Sequence, residues 1–478
     1  MMEVKKRTKI VATVGPASDD SEILEKLVLA GVDVFRLNFS HGDHASHLEN
    51  IKKIKEIRKK LNRPVAILQD LSGPKIRLGK IGNEPLKVSE KDTIVLDGSL
   101  TGTSDDNHIG INHRNFAQDV FEGARLLLSD GDLELEVTKV DPPKVYCRVI
   151  IGGKLYSHKG VNFPTGSFKI PALTDKDRED LVFGLNNGVD LVAMSFVRSA
   201  KDLDLARKIF EQEGVTVPLV AKIEKHEALS NLEEIVQAAD GIMVARGDLG
   251  VEIDLERVPI LQKQIIKMAN RAGKPVITAT QMLRSMVSAS RPTRAEATDV
   301  ANAILDGTDA VMLSEETAVG DYPVKAVLTM EKIALQAEKY YAELYKPRME
   351  RFRERQSKLT EPVSHSAVIL AHDLDARMIF AVTRSGYTAR AIAAYRPCSY
   401  IMALTPNENV YHQLALVWGV TPVQYPLQKN LQTVIKDATD IAKDLELIEQ
   451  EEAYVLTSGF PLGAPGSINQ VTAGMFGD

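Results

Sequence analysis

Eight times within the first 345 residues, a short run of β-branched and aliphatic residues gives way to a longer amphipathic stretch. The runs lie near 8–15, 33–39, 64–70, 190–197, 218–224, 241–246, 275–280 and 309–314. The stretches between and after them lie near 21–30, 44–61, 174–187, 200–213, 227–239, 257–272, 293–306 and 323–343. Strands that are apolar on both faces belong to a parallel sheet covered by helices. Eight such units are the count of a closed TIM (β/α)8 barrel. A doubly wound open sheet competes, but no Gly-x-Gly-x-x-Gly follows the first run. Arg36, Asp70, Lys222, Asp248, Thr280 and Ser314 all fall at run ends. A barrel brings such positions to one rim, whereas an open sheet spreads them along an edge. The spacing therefore predicts a barrel.

The rhythm breaks once. Between Asp70 and the stretch starting at 174, turn dipeptides (Asp97-Gly98, Asp130-Gly131, Gly152-Gly153) separate alternating runs such as Leu133-Glu-Leu-Glu-Val137. That is the pattern of an all-β insert. Placed at the active rim, it would act as a lid hinged near Ser72-Gly73-Pro74 and Gly166-Ser167. After 343, the charged stretch from Lys346 to Arg355 reads as a linker or exposed helix. Helices near 361–374, 387–395, 408–418 and 429–447 then alternate with strands near 377–383, 399–404, 421–425 and 452–457, the pattern of a smaller C-terminal open α/β domain. The expected division is a catalytic barrel over 1–72 and 169–345, a β-barrel lid over 73–168, and an effector-binding domain over 346–478. Two loops in that last domain suit a ligand. One runs from Thr383 to Arg390 and offers Thr383, Arg384, Ser385, Gly386 and Thr388 to a phosphate. The other, Thr457 to Gly466, is rich in glycine and proline and long enough to cover it.

Composition narrows the function classes. The core must rest on Val, Ile, Leu and Ala, because aromatic residues make up only 5% of the 478 positions. The net charge of −6, with both signs interspersed, argues against nucleic-acid or membrane-surface partners. Two distant cysteines, Cys147 and Cys398, fit a reducing compartment without a disulfide framework. The first apolar run is broken by Gly15-Pro16 and Asp19-Asp20, as a strand and not a signal peptide would be. A cytoplasmic protein is expected.

Chemistry concentrates in Val220-Ala-Lys-Ile-Glu224 and Gly241-Ile-Met-Val-Ala-Arg-Gly-Asp-Leu-Gly250. Lys222 and Glu224 stand two apart, hence on one face of a strand. Glu224 and Asp248 offer hard oxygens to a divalent cation, with Lys222 as a fixed charge beside them. A helical turn starting at Gly247 would aim free N–H groups at an anion. For any one of these residues alone, a strand-end ion pair is the commoner outcome. Together, on adjacent strands, they read as a metal and phosphate site.

These residues, with others along the chain, closely resemble pyruvate kinase. The resemblance spans all three regions and rests on Thr8-Lys-Ile-Val-Ala-Thr-Val-Gly-Pro16, Arg36-Leu-Asn-Phe-Ser-His-Gly42, Asp70-Leu-Ser-Gly-Pro-Lys-Ile-Arg77, Lys159-Gly-Val-Asn162, Met243-Val-Ala-Arg-Gly-Asp-Leu-Gly250, Thr278-Ala-Thr-Gln-Met-Leu283 and Asp309-Ala-Val-Met-Leu-Ser314. It implies phosphoryl transfer from phosphoenolpyruvate to ADP, then protonation of the enolate to pyruvate. It further implies Glu224 and Asp248 as ligands of Mg²⁺, for which Mn²⁺ can substitute, and Lys222 as the ammonium on the transferring phosphoryl group. Arg36 and Arg77 look like phosphate clamps. Gly247, Asp248, Thr280 and Ser314 would line the substrate, with Thr280 near the proton path. Asn38, His41, Arg77 and Lys159 would meet the nucleotide, which should bring a second Mg²⁺. The family's assembly implies a homotetramer.

The chain departs from the family pattern in two places. Potassium-requiring members hold a monovalent cation with residues matching Asn38, Ser40, Asp70 and the carbonyl of Leu71. They carry Glu where this chain has Lys75. An ammonium there supplies the charge of K⁺ and repels it. Lys75 with Leu71 and Leu78 thus predicts activity without K⁺. Ser129 replaces an acidic residue before Asp130-Gly131. Arg384 keeps a positive charge in the effector loop, which implies activation by a phosphorylated metabolite. Two other readings compete: a barrel lyase of phosphoenolpyruvate or pyruvate, and a catalytically silent metabolite sensor. A lyase has no need of the insert with Arg77 and Lys159, and a sensor would have shed Lys222, Glu224, Arg77 and Thr280.

Overall fold

The computed structural model describes residues 5–105, 107–344, 359–426, 428, 430–459 and 468–477. The expected linker from Lys346 to Arg355 and residues 460–466 of the second ligand loop lie outside them.

The eight runs form a closed parallel barrel of strands β1 (Lys9–Thr13), β2 (Val34–Asn38), β3 (Ala66–Asp70), β4 (Leu191–Met194), β5 (Leu219–Ile223), β6 (Gly241–Ala245), β7 (Val276–Ala279) and β8 (Ala310–Leu313). Strand alternation sorts their residues into two cores. Val11, Val34, Ala66, Leu68, Val220, Met243, Ile277 and Met312 fill the lumen. Ile10, Phe35, Leu37, Ile67, Ala221 and Ile223 pack outward against the helices. Arg36 follows Val34, Asp70 follows Leu68, and Lys222 follows Val220 by two residues. All three therefore stand in the top layer of the lumen, and that parity builds the site. The crossover helices start where their caps dictate. Asp20 caps Ser21–Leu29, while Thr174 and Thr293 make capping boxes for Asp175–Asn186 and Arg294–Leu305.

The insert was expected as a β-barrel. It forms a six-stranded sheet flanked by two two-stranded ribbons, and residues 76–79 bridge the two edges of that sheet, bonding to 159–161 on one side and to 110–112 on the other. Leu133, Leu135 and Val137 face its private core, whereas Glu134 and Glu136 are half-exposed. Ser129 and Asp130 take left-handed φ values of 55° and 58° in the turn joining Arg125–Leu128 to Leu133–Asp141.

The C-terminal region holds parallel strands Met378–Val382, Tyr400–Thr405, Val420–Gln424 and Ala453–Ser458. A fifth, Gln470–Met475, adds antiparallel to the edge beside Ala453–Ser458. Sequence periodicity missed that strand. It is an edge strand with no fully buried face, so it needs no apolar run. Arg396 joins this region to the barrel. Its guanidinium reaches both oxygens of Asp309 at 3.0 Å and stacks on Trp418, 4.7 Å from the ring centroid. No helix among the described residues is long and apolar enough to cross a membrane.

Candidate active site

Lys222 is the hub of the rim. Its ammonium lies 3.1 Å from Asp70 Oδ1 and 2.9 Å from Glu224 Oε1, and donates to Ser195 Oγ at 2.7 Å. Arg36 donates through Nε to Asp70 Oδ2 at 2.6 Å and through Nη1 to Thr13 Oγ1 at 3.1 Å. Two cations and two carboxylates are thus interleaved in a layer only 1–11% exposed. Burial alone would lower the Lys222 pKa. Asp70 and Glu224 outweigh it and hold the ammonium above the ordinary lysine range. Burial would likewise raise Asp70, but Lys222 and Arg36 keep it below the usual carboxylate value. Glu224 behaves oppositely. Burial raises it, Lys222 opposes, and the charge of Asp248 adds to the rise.

The rise that Asp248 causes in Glu224 reflects two carboxylates brought near one another at the rim. A hard divalent cation fits such a donor set. Glu224 is further fixed by the Phe196 N–H, which donates to Oε2 at 2.7 Å. Asp248 lies in the first turn of the helix Arg246–Glu252, at the mouth of the site. Lys75 reaches it at 3.4 Å and Asp130 of the insert at 4.0 Å. Gly160 supplies the room, since a Cβ there would come within 3.2 Å of Lys75 Cε.

Thr280 and Gly247 meet as expected, with a detail the sequence could not give. The Gly247 N–H donates to Thr280 Oγ1 at 2.7 Å, and that hydroxyl donates on to the Ala279 carbonyl at 2.6 Å. The Gly247 amide is thus taken by Thr280, and an arriving anion must displace that bond. Thr280 and Gln281 hold left-handed φ values of 72° and 55°. Arg246 braces this turn, donating to the Thr280 carbonyl at 2.7 Å and to Asp299 at 2.7 Å. Arg246 and Ser195 were missed by sequence reasoning. Each works through partners on other elements, and no spacing signals that. Ser314 directly follows β8, its N–H bound to Glu316 at 2.7 Å.

The residues matched to a monovalent-cation site are each already engaged by partners within the chain. Asn38 Oδ1 accepts the Ser40 N–H at 3.2 Å, Ser40 Oγ donates to Ser72 Oγ at 3.2 Å, and the Leu71 carbonyl accepts from Ser195 at 2.7 Å. His41 is exposed one turn on, its N–H bound to the Asn38 carbonyl. Arg77 and Lys159 stand on facing insert segments, linked by an Arg77–Gly160 bridge and a Leu78 N–H to Lys159 carbonyl bond of 2.9 Å. Arg77 Nη1 donates to the His158 carbonyl at 3.0 Å. The insert docks on the barrel through Asn162, whose amide donates to buried Glu252 at 2.8 Å. His226, Glu227 and Glu252 also cluster there, but Lys225 at 2.6 Å and Asn162 already neutralise and satisfy Glu252. In the C-terminal loop, the N–H groups of Gly386 and Tyr387 bind the hydroxyls of Thr383 at 3.0 Å and Ser385 at 3.4 Å, while Thr388 is buried.

Residues 5–327 match the family described as "Pyruvate kinase, barrel domain", and 361–472 match "Pyruvate kinase, alpha/beta domain". This chain belongs to the pyruvate kinase family. Pyruvate kinase 2 of Synechocystis is 47% identical over 470 residues, covering 98% of this chain and 78% of that protein. The pyruvate kinase of Clostridium acetobutylicum is 42% identical, covering 97% and 98%. The crystal structure of a pyruvate kinase from Cryptosporidium parvum superposes with a TM-score of 0.91 at 35% identity, covering 98% of this chain and 96% of that one. The chain is accordingly a phosphotransferase of glycolysis acting on phosphoenolpyruvate and ADP, in a family that generally needs a divalent metal. Neither the lyase nor the sensor reading finds support in these matches.

Proposed function

We propose that the rim performs the transfer as follows, the supporting observation being Lys222 clamped between Asp70 and Glu224 beside Arg36. Glu224 and Asp248 hold Mg²⁺, or Mn²⁺ in its place. When bound, that ion supplies positive charge to the substrate's oxygens. Arg36 and Lys222 bind the phosphoryl group, and Arg77 and Lys159 close over the nucleotide with Asn38 and His41. The bond between phosphorus and the enol oxygen breaks as one forms to the terminal ADP oxygen. Charge left on the enolate oxygen falls on the Lys222 ammonium, which its two carboxylates keep protonated at any physiological pH. Gly247, Asp248 and Thr280 seat the substrate carboxylate once the Gly247–Thr280 bond opens. Thr280, whose hydroxyl is already a donor to a carbonyl, passes a proton toward the enolate carbon through water.

Lys75 extends this reading to monovalent ions. Its ammonium sits between Asp248 and Asp130, so a positive charge is built into the closed site. Turnover therefore needs no K⁺. The test is ATP formation from phosphoenolpyruvate and ADP with Mg²⁺, first without K⁺ and then with K⁺ at constant ionic strength. Full rate in the first buffer is expected, and a tenfold or greater rise in the second would overturn the role of Lys75. Thr383, Arg384, Ser385, Gly386 and Thr388 are read as the seat of a phosphorylated activator, and the assembly as a homotetramer in the cytoplasm. Substrate saturation curves unchanged by sugar phosphates and AMP, or activation retained in Arg384→Ala, would count against the activator site.

A further inference from the structure

The loop that carries Asn38 and His41 is tied down by two side chains outside the reacting centre. It leads from β2 to the helix His44–Leu61, and Gly42 within it takes φ +76°. A Cβ on Gly42 would lie 3.3 Å from His47 Nε2, so the glycine lets the chain close down on that ring. His47 Nε2 bonds the His41 carbonyl at 2.9 Å. A carbonyl only accepts, so Nε2 carries the proton and the neutral ring keeps its lone pair at Nδ1. From the helix Asp175–Asn186, Lys176 donates to the Phe39 carbonyl at 2.9 Å, its ammonium anchored by Asp180 at 2.6 Å. Two carbonyls of one short loop are thus tied to two different helices.

His47 stands where its helix asks for an apolar side chain. Ile51, Ile54 and Ile57 continue the same face, and all four are buried. The ring stacks on Phe39, with centroids 4.0 Å apart and planes 11° apart. Its Nδ1 is buried and has no hydrogen-bond partner among the described residues. Burial holds the pKa below the ordinary histidine value, against the pull of the His41 carbonyl and Asp180. For packing alone a phenylalanine would serve better, since it makes the same stack and leaves no buried polar atom unpaired. What only the imidazole brings is the donor to the His41 carbonyl.

We propose that His47 is a positioning residue for the nucleotide. It fixes the His41 carbonyl and, with Lys176 on Phe39, sets residues 38–42 in the shape that presents Asn38 and His41 to ADP. This role rests on the reading of those two residues as nucleotide contacts. His47 is buried, so it acts through the loop and not on ADP itself. A loop shaped beforehand spares ADP the cost of ordering it, a gain that falls on KM for ADP and leaves the chemistry at Lys222 untouched.

Steady-state kinetics of the full chain, with each substrate varied in turn, test this in three variants whose melting curves are also recorded. His47→Phe keeps the stack and drops the donor, His47→Gln returns an N–H near the place of Nε2, and His41→Ala removes the nucleotide contact itself. We expect His47→Phe to raise KM for ADP about fivefold or more, with kcat and KM for phosphoenolpyruvate within about twofold of wild type. It should melt within a few degrees of wild type, and His47→Gln should recover most of the loss. A rise in both KM values with a fall in kcat, or no recovery in His47→Gln, marks a packing role and overturns the proposal. An unchanged KM for ADP in His47→Phe beside a raised one in His41→Ala overturns it while the nucleotide reading stands. If His41→Ala leaves KM for ADP unchanged, that reading falls and the proposal with it. Should His47→Phe not fold, Lys176→Met cuts the second brace from an exposed side chain, and an unchanged KM for ADP there is the overturning result.

Discussion

Lys222 does two jobs, and one substitution separates them. Its raised pKa contributes stability that is fully present below the ordinary lysine pKa of 10.5 and lost only as pH rises through the folded value. The lowered Asp70 pKa contributes stability present above about 3.8 and lost as pH falls through the folded value. Lys222→Met removes the ammonium and leaves Glu224 buried without it. At neutral pH we expect a loss of about 3–5 kcal/mol in chemical denaturation, shrinking toward acid pH as the raised carboxylates take up protons. The catalytic rate constant should fall by roughly 10²- to 10³-fold, as for loss of one donor to developing charge. Stability that declines further on acidification would contradict this electrostatic account. Gly247 offers the converse case. A Cβ there meets Thr280 Oγ1 at 3.4 Å and its carbons at 3.5–3.6 Å, ordinary contact distances. Gly247→Ala should melt close to the wild type yet raise KM for phosphoenolpyruvate about tenfold, because the methyl group occupies the carboxylate's place. An unchanged KM would remove Gly247 from the substrate pocket.

At the scale of elements, the insert is tied to the barrel more firmly than a hinge of glycines suggests. Gly73 takes φ +70°, its N–H is held by Asp177 at 3.0 Å, and a Cβ would sit 2.6 Å from the Phe196 ring and 2.9 Å from Ser195 Cβ. Gly166 is equally enclosed, with the Phe163 ring 2.3 Å from its notional Cβ. These glycines permit close packing at the joint. Gly73→Ala combines positive-φ strain with overpacking and should cost about 2–4 kcal/mol. It should also disturb Ser195, so activity at saturating substrate should fall with it. A mutant of wild-type stability would show that the joint yields. Asn162→Ala cuts one docking bond to Glu252 without touching the chemistry. Steady-state kinetics should show a higher KM for ADP than for phosphoenolpyruvate relative to wild type, because Arg77 and Lys159 travel with the insert.

Across the whole molecule, the Arg396–Asp309 pair, 2% and 5% exposed, is a buried polar tie between the barrel and the C-terminal region. Asp309 also accepts the N–H groups of Val276 at 3.0 Å and Trp418 at 3.4 Å, so it holds β7, β8 and the segment around Trp418 together. Arg396→Ala leaves a buried carboxylate unpaired, a loss of about 3–5 kcal/mol. Because most of each region's apolar core is its own, with Ala415 and Leu416 reaching the barrel's lumen cluster, urea unfolding should then split into two transitions. A single transition at the wild-type midpoint would show that apolar packing alone couples them.

The sequence by itself determined the barrel, because apolar runs of strand length and amphipathic helical stretches repeat eight times, and both are local physics. It also determined which residues crown the lumen, since the two-residue period of a strand carries Val34 to Arg36, Leu68 to Asp70 and Val220 to Lys222. The closing strand Gln470–Met475 was not legible, because its partner, not its own composition, makes it a strand. Nor was the strand order of the insert, where short alternating runs state their faces but not their neighbours. Only the tertiary structure decided that Ser195 receives Lys222, that Arg246 braces the Thr280 turn, and that Lys75 crosses from the insert to Asp248. Each joins segments far apart in the chain, and such contacts depend on how layers pack rather than on any periodicity.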